Sequence, residues 1–121
     1  MVQYSSSGLD TSFAALSDAT RRGVLQQLAR ADASITDLAQ AFDMTLTGMR
    51  KHVRVLEEAA LVTTQKVGRV RTCSLGPGRL TDEAAWIDWY RELWDSRFDE
   101  LETLVNGLEE KEQTDGSNER T

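Results

Sequence analysis

A stretch near the middle of the chain combines cationic and hydroxyl side chains at helical spacing. Residues 45–62 have the sequence TLTGMRKHVRVLEEAALV. Apolar residues three or four positions apart define one face of a helix, formed by Met49, Val53, Leu56 and Ala60. The start and the opposite side carry Thr45, Thr47, Arg50, Lys51 and Arg54. Because cations bind phosphates and base edges, and hydroxyls donate to phosphates, this side suits the major groove of duplex DNA.

The charges of the chain are unevenly distributed. The net charge of −6 argues by itself against binding to nucleic acid. Residues 13–79, however, contain ten Arg and Lys against six Asp and Glu, a net charge of +4. Residues 80–121 contain four against thirteen, a net charge of −9, and Asp10 supplies the remaining negative charge. Because attraction to phosphate depends on local charge, the basic segment can bind DNA although the whole chain is acidic.

Three shorter helices are predicted before the basic one. Their boundaries follow from capping residues and apolar spacing: residues 10–17, 19–30 and 35–42, capped by Asp10 or Thr11, Asp18 and Ser34. Asp43 and Met44 then form a tight turn, and Thr45 caps the basic helix. Two helices joined by a tight turn, with the basic one second, are typical of a helix-turn-helix.

The residue pattern changes after the basic helix. Residues 61–75 are mostly β-branched or otherwise suited to strands, and Gly68 interrupts them. The pattern predicts a β-hairpin with its tip at residues 67–69, and the Gly-Pro-Gly segment 76–78 ends its second strand. Three cations near the tip are predicted to contact DNA phosphates: Lys66, Arg69 and Arg71.

The longest helix is predicted from Thr81 to about Glu110. Its apolar residues recur at a spacing near 3.5 and include three tryptophans. These side chains are too many for one small core, so we predict that two copies of the chain pair through this helix, with help from the first. The predicted dimer contacts are Phe13, Trp86, Tyr90, Trp94, Leu101 and Leu104. A pocket for an unknown small-molecule effector, lined by the tryptophans, is the alternative.

Several residues outside the DNA-binding prediction also require an interpretation. Arg21 and Arg22 lie near a helix start, where the dipole disfavours cations, which predicts a nearby anion or carboxylate. His52 is interpreted as a structural or phosphate-touching residue rather than a metal ligand. Cys73 should point to the core with Leu75 as an inert thiol, because a redox switch needs exposure and usually a second thiol. Glu57, Glu58 and the acidic row of Asp88, Glu92, Asp95 and Asp99 are interpreted as solvent-facing.

Composition bounds the remaining possibilities. One histidine and one cysteine leave few metal ligands, and neither a nucleophile with its base nor a Gly-rich phosphate loop is apparent, so we expect no metal, no cofactor and no enzyme. No window is apolar enough for a membrane span, and we expect a cytoplasmic protein. We expect residues 1–9 and 111–121 to be disordered, and residues 10–110 to form one domain that ends in a dimerisation helix over about 81–110.

Two segments resemble the motifs of a known family. Residues 13–28, FAALSDATRRGVLQQL, are similar to the opening signature of ArsR/SmtB-type winged helix-turn-helix repressors. Residues 35–42 and 51–57 resemble the next two motifs, so the resemblance covers about residues 13–108. It implies a mostly α fold with a small β-hairpin, in the order of four helices, two strands and a last helix. It also implies a homodimeric transcriptional repressor, which would act on its own or an adjacent promoter through a roughly palindromic operator.

The chain departs from this family at three positions. Arg50 stands where Ser is common, Cys73 where an aromatic residue is common, and Ala60 where Gly is usual. We expect Ala60 to alter the helix end or to cost roughly 1 kcal/mol, because such a site often has positive φ. The cysteine pair and the histidines of the family's metal sensors are missing, so metal sensing does not transfer. A protein-interaction module that retains the winged-helix fold is the alternative function.

Overall fold

The computed structural model describes residues 6–115, with side chains for residues 8–109. It contains five helices and three strands in this part of the chain. In chain order they are α1 (Ser6–Leu16), α2 (Ala19–Arg30), β1 (Ala33–Ser34), α3 (Ile35–Ala41), α4 (Leu46–Glu58), β2 (Val62–Val67), β3 (Val70–Leu75) and α5 (Thr81–Asp115). The predicted fold class and the predicted order of helices and hairpin strands are confirmed.

Three helices begin where short polar side chains were predicted to cap them. The Asp18 carboxylate accepts from the backbone N–H of Arg21 at the start of α2. The Ser34 hydroxyl accepts from the N–H of Asp37 at the start of α3. The Thr45 hydroxyl accepts from the N–H of Gly48 at the start of α4. Each cap satisfies an N–H group that has no partner within its helix, and each is worth about 1 kcal/mol.

The apolar face of α4 forms the centre of the core. Met49, Val53 and Leu56 are almost completely buried, together with Leu38 of α3 and Val24 of α2. Burial of side chains of this size contributes about 1.5 to 3 kcal/mol each. The helix that carries three cations on one face is therefore held in place by almost completely buried side chains on the other face.

The sheet has one strand more than the sequence predicted. Its order is β1-β3-β2, all antiparallel, with Ala33 opposite Cys73 and Ser34 opposite Thr72. Two residues are too short for a strand pattern, so β1 could not be recognised without its partner β3. Leu75, which the alternation placed inward with Cys73, is exposed at the end of β3.

Both ends of the described chain are more helical than predicted. Helix α1 begins at Ser6 rather than at residue 10 or 11. Leu9 is half-buried and lies four residues before the half-buried Phe13, which extends the inward face by one turn. Helix α5 continues to Asp115, five residues beyond the predicted end. The predictions for residues 1–5 and 116–121 lie outside the described residues.

The chain divides into two compact units, Met1–Ala84 and Ala85–Thr121. The first contains the core, the sheet and helices α1 to α4. The second consists of most of α5, on which the aromatic side chains contact one another. The rings of Trp86 and Tyr90 are stacked, with centroids 5.7 Å apart and an interplanar angle of 6°. Within residues 6–115 no helix has the length and apolar character needed to cross a bilayer.

A close backbone contact joins the end of α4 to the segment after β3. The N–H of Gly76 donates to the carbonyl of Leu61, and the N–H of Gly78 donates to the carbonyl of Ala60. A Cβ on Gly76 or Gly78 would lie 2.5 Å or 2.7 Å from the Ala60 carbonyl oxygen. Glycine at both positions therefore permits the chain to turn back beneath α4.

Replacing Ala60 by Gly should stabilise the protein by roughly 0.5 to 1 kcal/mol. Ala60 has φ of +60°, a conformation that Gly adopts without the steric cost of a Cβ. Ala59 is a matched control, because its φ is −87° and Gly there should only destabilise the helix end. Denaturant unfolding of both variants measures the difference, and an Ala60→Gly variant as unstable as Ala59→Gly would contradict this account of the strain.

Candidate nucleic-acid interface

The polar face of α4 is exposed along its first three turns. Thr45, Thr47, Arg50, Lys51 and Arg54 all lie on the surface, as their spacing predicted. The Thr45 hydroxyl is 3.0 Å from the N of Gly48, so it is engaged as a cap. A hydroxyl that accepts from the backbone still has its own proton to donate, so the cap is compatible with a phosphate contact.

Helix α4 and the hairpin enclose a groove of about 630 Å³. Five of the predicted DNA-binding cations line it: Arg50, Arg54, Lys66, Arg69 and Arg71. Thr45, Thr47 and Lys51 lie outside its lining. Two carboxylates, Asp37 of α3 and Glu57 of α4, also line the groove. The structure therefore brings cations of α4 close to cations of the hairpin, although the two sets are at least twelve residues apart in sequence.

The hairpin formed by β2 and β3 places two cations directly opposite each other. Lys66 pairs with Arg71 in the antiparallel register, next to the tip pair of Val67 and Val70. Like charges at directly opposite positions destabilise a strand pair. An anion between them would remove this repulsion. Gly68, with φ of +64°, makes the turn at the predicted tip.

A hydrogen-bonded chain connects α4 to this hairpin. The Thr64 hydroxyl donates to Glu57 Oε2 at 2.7 Å, and the Arg71 guanidinium donates to Thr64 Oγ1 at 3.4 Å. The interpretation of Glu57 as solvent-facing was wrong, because this half-buried carboxylate accepts from β2. Nothing in the local sequence reveals the contact, since Thr64 reaches Glu57 only after the chain has turned at Ala60.

Arg21 and Arg22 contact the end of α1. Arg21 donates from Nε to the carbonyl of Ala15 and from Nη2 to the carbonyl of Ala14, both at 2.9 Å. Arg22 donates from Nη1 to the carbonyl of Leu16 at 2.6 Å. The last carbonyls of a helix have no internal partner and carry partial negative charge. The negative partner expected for these two cations is therefore mainly the set of backbone carbonyls at the end of α1.

Asp18 lies beside this cluster. The N–H of Arg21, which donates to Asp18 Oδ2, is the main reason why the pKa of Asp18 is lowered. Burial opposes the shift, and the nearby charge of Arg21 adds to it. His52 Nδ1 lies 3.1 Å from Nη1 of Arg21, so this half-buried ring has a structural contact within the protein, one of the two roles predicted for it.

Cys73 is a buried free thiol on β3. Burial is the main cause that raises its pKa to about 11, and the negative charge of Glu57 adds to the effect. A thiol that stays protonated at neutral pH and has no exposed surface is a poor nucleophile. These properties favour the inert thiol over the redox switch.

The predicted dimer contacts lie on both units. Phe13 is half-buried on α1 of the first unit. On α5 all five predicted residues are exposed, from 36% for Trp86 to 63% for Leu104. Among the residues that the structure describes, no three His, Cys, Asp or Glu side chains converge on a point where they could hold a metal ion.

Comparison with known proteins supplies the class. A family model described as a helix-turn-helix domain matches residues 16–65. The HTH-type transcriptional regulator Rv2034 of Mycobacterium tuberculosis is 30% identical over 86 residues, which cover 69% of this chain and 80% of the relative. The transcriptional repressor SdpR of Bacillus subtilis is 29% identical over 75 residues, which cover 62% of this chain and 83% of that relative.

Solved structures agree with these relatives. The crystal structure of an ArsR family transcriptional regulator is 43% identical, with a TM-score of 0.71, and the match covers 79% of this chain and 98% of that one. The solution structure of a homodimeric winged helix-turn-helix DNA-binding domain from Mycobacterium bovis is also similar, with a TM-score of 0.56. The match covers 76% of this chain and 82% of that one. At 21% identity, this similarity supports the fold alone.

The capped helix pair α3–α4, followed by the β2–β3 wing, defines a winged helix-turn-helix protein that regulates transcription by binding DNA. Within that class, the chain belongs to the ArsR family of transcriptional regulators. The resemblance inferred from residues 13–28, 35–42 and 51–57 is thus confirmed.

Proposed function

We propose that this regulator is a homodimeric repressor that acts on its own or an adjacent promoter. Two copies of α4 would enter successive major grooves of a roughly palindromic operator, while the two wings contact flanking phosphates. The observation that carries the proposal is the groove between α4 and the wing, which is lined by five cations. A protein with this role works where the DNA is, in the cytoplasm.

The charges of this surface support separate tasks for the helix and the wing. Arg50 and Arg54 extend from a helix whose opposite face is fixed in the core, so they can contact base edges reproducibly. Lys66 and Arg71 repel each other at the base of the wing tip, and a phosphate between them would offset that repulsion. Asp37 and Glu57 also line the groove and would repel a phosphate placed next to them, which restricts how the DNA backbone can lie.

Dimerisation follows from the exposed apolar face of α5. One α4 and one wing make few phosphate contacts, whereas two rigidly linked copies can bind half-sites about 34 Å apart. The Bacillus subtilis relative is named a repressor. We infer that this chain is a repressor too.

Binding of promoter duplexes at several salt concentrations tests the function. With DNA from the region upstream of its own coding sequence, affinity should fall steeply as salt rises, with a slope near −0.9 in log–log form for each phosphate contacted. A promoter–reporter fusion should be less active when the protein is present. Salt-independent or absent binding would instead favour the alternative, a protein-interaction module with a retained winged-helix fold.

A further inference from the structure

One guanidinium connects three helices of the first unit. Arg21 lies in the first turn of α2 and donates to two carbonyls at the end of α1. Its Nη1 lies 3.1 Å from Nδ1 of His52, in the middle of α4. The DNA-binding helix is therefore joined by a directional contact to the helices that precede the helix-turn-helix.

The contact fixes the tautomer of His52. An arginine can only donate hydrogen bonds, so Nδ1 must be the unprotonated acceptor and the ring proton must be on Nε2. Asp18 Oδ2 lies 3.9 Å from the same nitrogen, beyond hydrogen-bond distance. Two charged groups thus lie close to the ring, Arg21 and Asp18, and Arg21 is the nearer one.

His52 is flanked by residues of both faces of α4. Lys51 before it is exposed, and Val53 after it is buried. Packing of Met49, Val53 and Leu56 fixes the buried face of α4 in the core, and the contact to Arg21 adds a directional restraint at one point on this helix. A hydrogen bond depends strongly on angle, so the contact to Arg21 restricts rotation of α4 about its axis.

We propose that Arg21 and His52 are positioning residues for operator recognition. Their contact sets the rotation of α4 and thereby the direction of Arg50 and Arg54, which lie two residues to either side of His52. Base contacts require placement within about 0.5 Å, whereas attraction to phosphate tolerates larger errors. The pair therefore affects discrimination between sequences more than general affinity for DNA. This inference rests on the proposed DNA-binding function.

Conservative variants test the role without removing charge. Arg21→Lys keeps the positive charge, but a single ammonium group cannot contact the α1 carbonyls and the His52 ring at once, as the planar guanidinium does. Arg22→Lys is the matched control, because Arg22 also contacts an α1 carbonyl but has no bond to α4. His52→Leu removes the acceptor, whereas His52→Asn places an amide oxygen near the position of Nδ1.

Affinity for the operator and for an unrelated duplex is measured for each variant. Arg21→Lys and His52→Leu should each lose about 10-fold in operator affinity, because misdirected Arg50 and Arg54 would lose part of their base contacts. The affinity of these two variants for the unrelated duplex should stay within about 2-fold of the wild type. The operator affinity of Arg22→Lys and of His52→Asn should also stay within about 2-fold of the wild type. Because both residues share one contact, the double variant Arg21→Lys/His52→Leu should lose no more than either single variant.

Two results of the binding measurements would overturn the positioning role. One is normal discrimination by Arg21→Lys and His52→Leu, and the other is an equal loss of operator affinity in Arg22→Lys. Nitrogen NMR provides a measurement without any variant, because the protein has one histidine. Nδ1 should be the unprotonated nitrogen, and a protonated Nδ1 would exclude the contact. A wild type that binds no duplex would instead refute the proposed function itself.

Discussion

Replacing both Trp94 and Leu101 by Glu should convert the protein to a monomer and weaken operator binding by at least about 100-fold. The two side chains are about half-exposed on α5 and lie seven residues apart, on the same side of the helix. If this face pairs with a second copy, each carboxylate would be buried at the interface without a partner. The loss of affinity follows because a monomer can bind only one half-site.

A matched control separates this effect from added charge alone. Ser96→Glu/Thr103→Glu introduces the same charges at the same spacing on the polar side of α5, and it should remain dimeric with nearly normal affinity. Sedimentation gives the oligomeric state, circular dichroism shows whether the variant is folded, and a mobility-shift assay gives operator affinity. A folded Trp94→Glu/Leu101→Glu monomer with wild-type affinity would refute the proposed role of α5.

Replacing Arg50 or Arg54 by Ala should cost roughly 1 to 3 kcal/mol in operator binding, if each contacts a base through two hydrogen bonds. That range is about 5- to 150-fold in affinity. The Arg69→Ala variant at the wing should instead weaken the operator and unrelated duplexes about equally, because phosphates carry no sequence information.

Arg30 provides the control for these arginine variants. It is exposed in the last turn of α2 and does not line the groove, so Arg30→Ala should bind the operator like the wild type. Fluorescence anisotropy with operator and scrambled duplexes measures both affinities. If Arg50→Ala and Arg54→Ala keep full discrimination, α4 is not the element that contacts the bases.

Much of the fold was predictable because its signals are local. Asp18, Ser34 and Thr45 mark helix starts through bonds to residues three positions later. The period of the apolar residues identified the buried face of α4 and the change to strands after it. Strand β1 was missed because its two residues become a strand only by pairing with Cys73 and Thr72, about forty residues away.

The candidate site shows the same division between local and long-range signals. The exposed cations of α4 and the wing followed from spacing, and five of them line one groove. The partners of Glu57 and Arg21 did not follow, because each lies on a different element that only the fold brings near. Arg21 and Arg22 did give a signal, since cations at a helix start require an explanation, but the sequence could not identify helix carbonyls as the cause.

The most direct test of whether α4 and the wing face the duplex is to attach a DNA-cleaving iron chelate at one surface position at a time and to map where the operator is cut. Cys73 is buried with a pKa of about 11, so a cysteine introduced on the surface can be labelled selectively with an iron chelate. Labels at Thr47→Cys on α4 and Val67→Cys on the wing should cut the operator in two clusters related by its two-fold symmetry, with the α4 clusters about 34 Å apart. A label at Glu92→Cys on the polar side of α5 should produce no specific cuts. Specific cleavage from Glu92→Cys, with none from Thr47→Cys or Val67→Cys, would contradict the assignment of the DNA-binding surface.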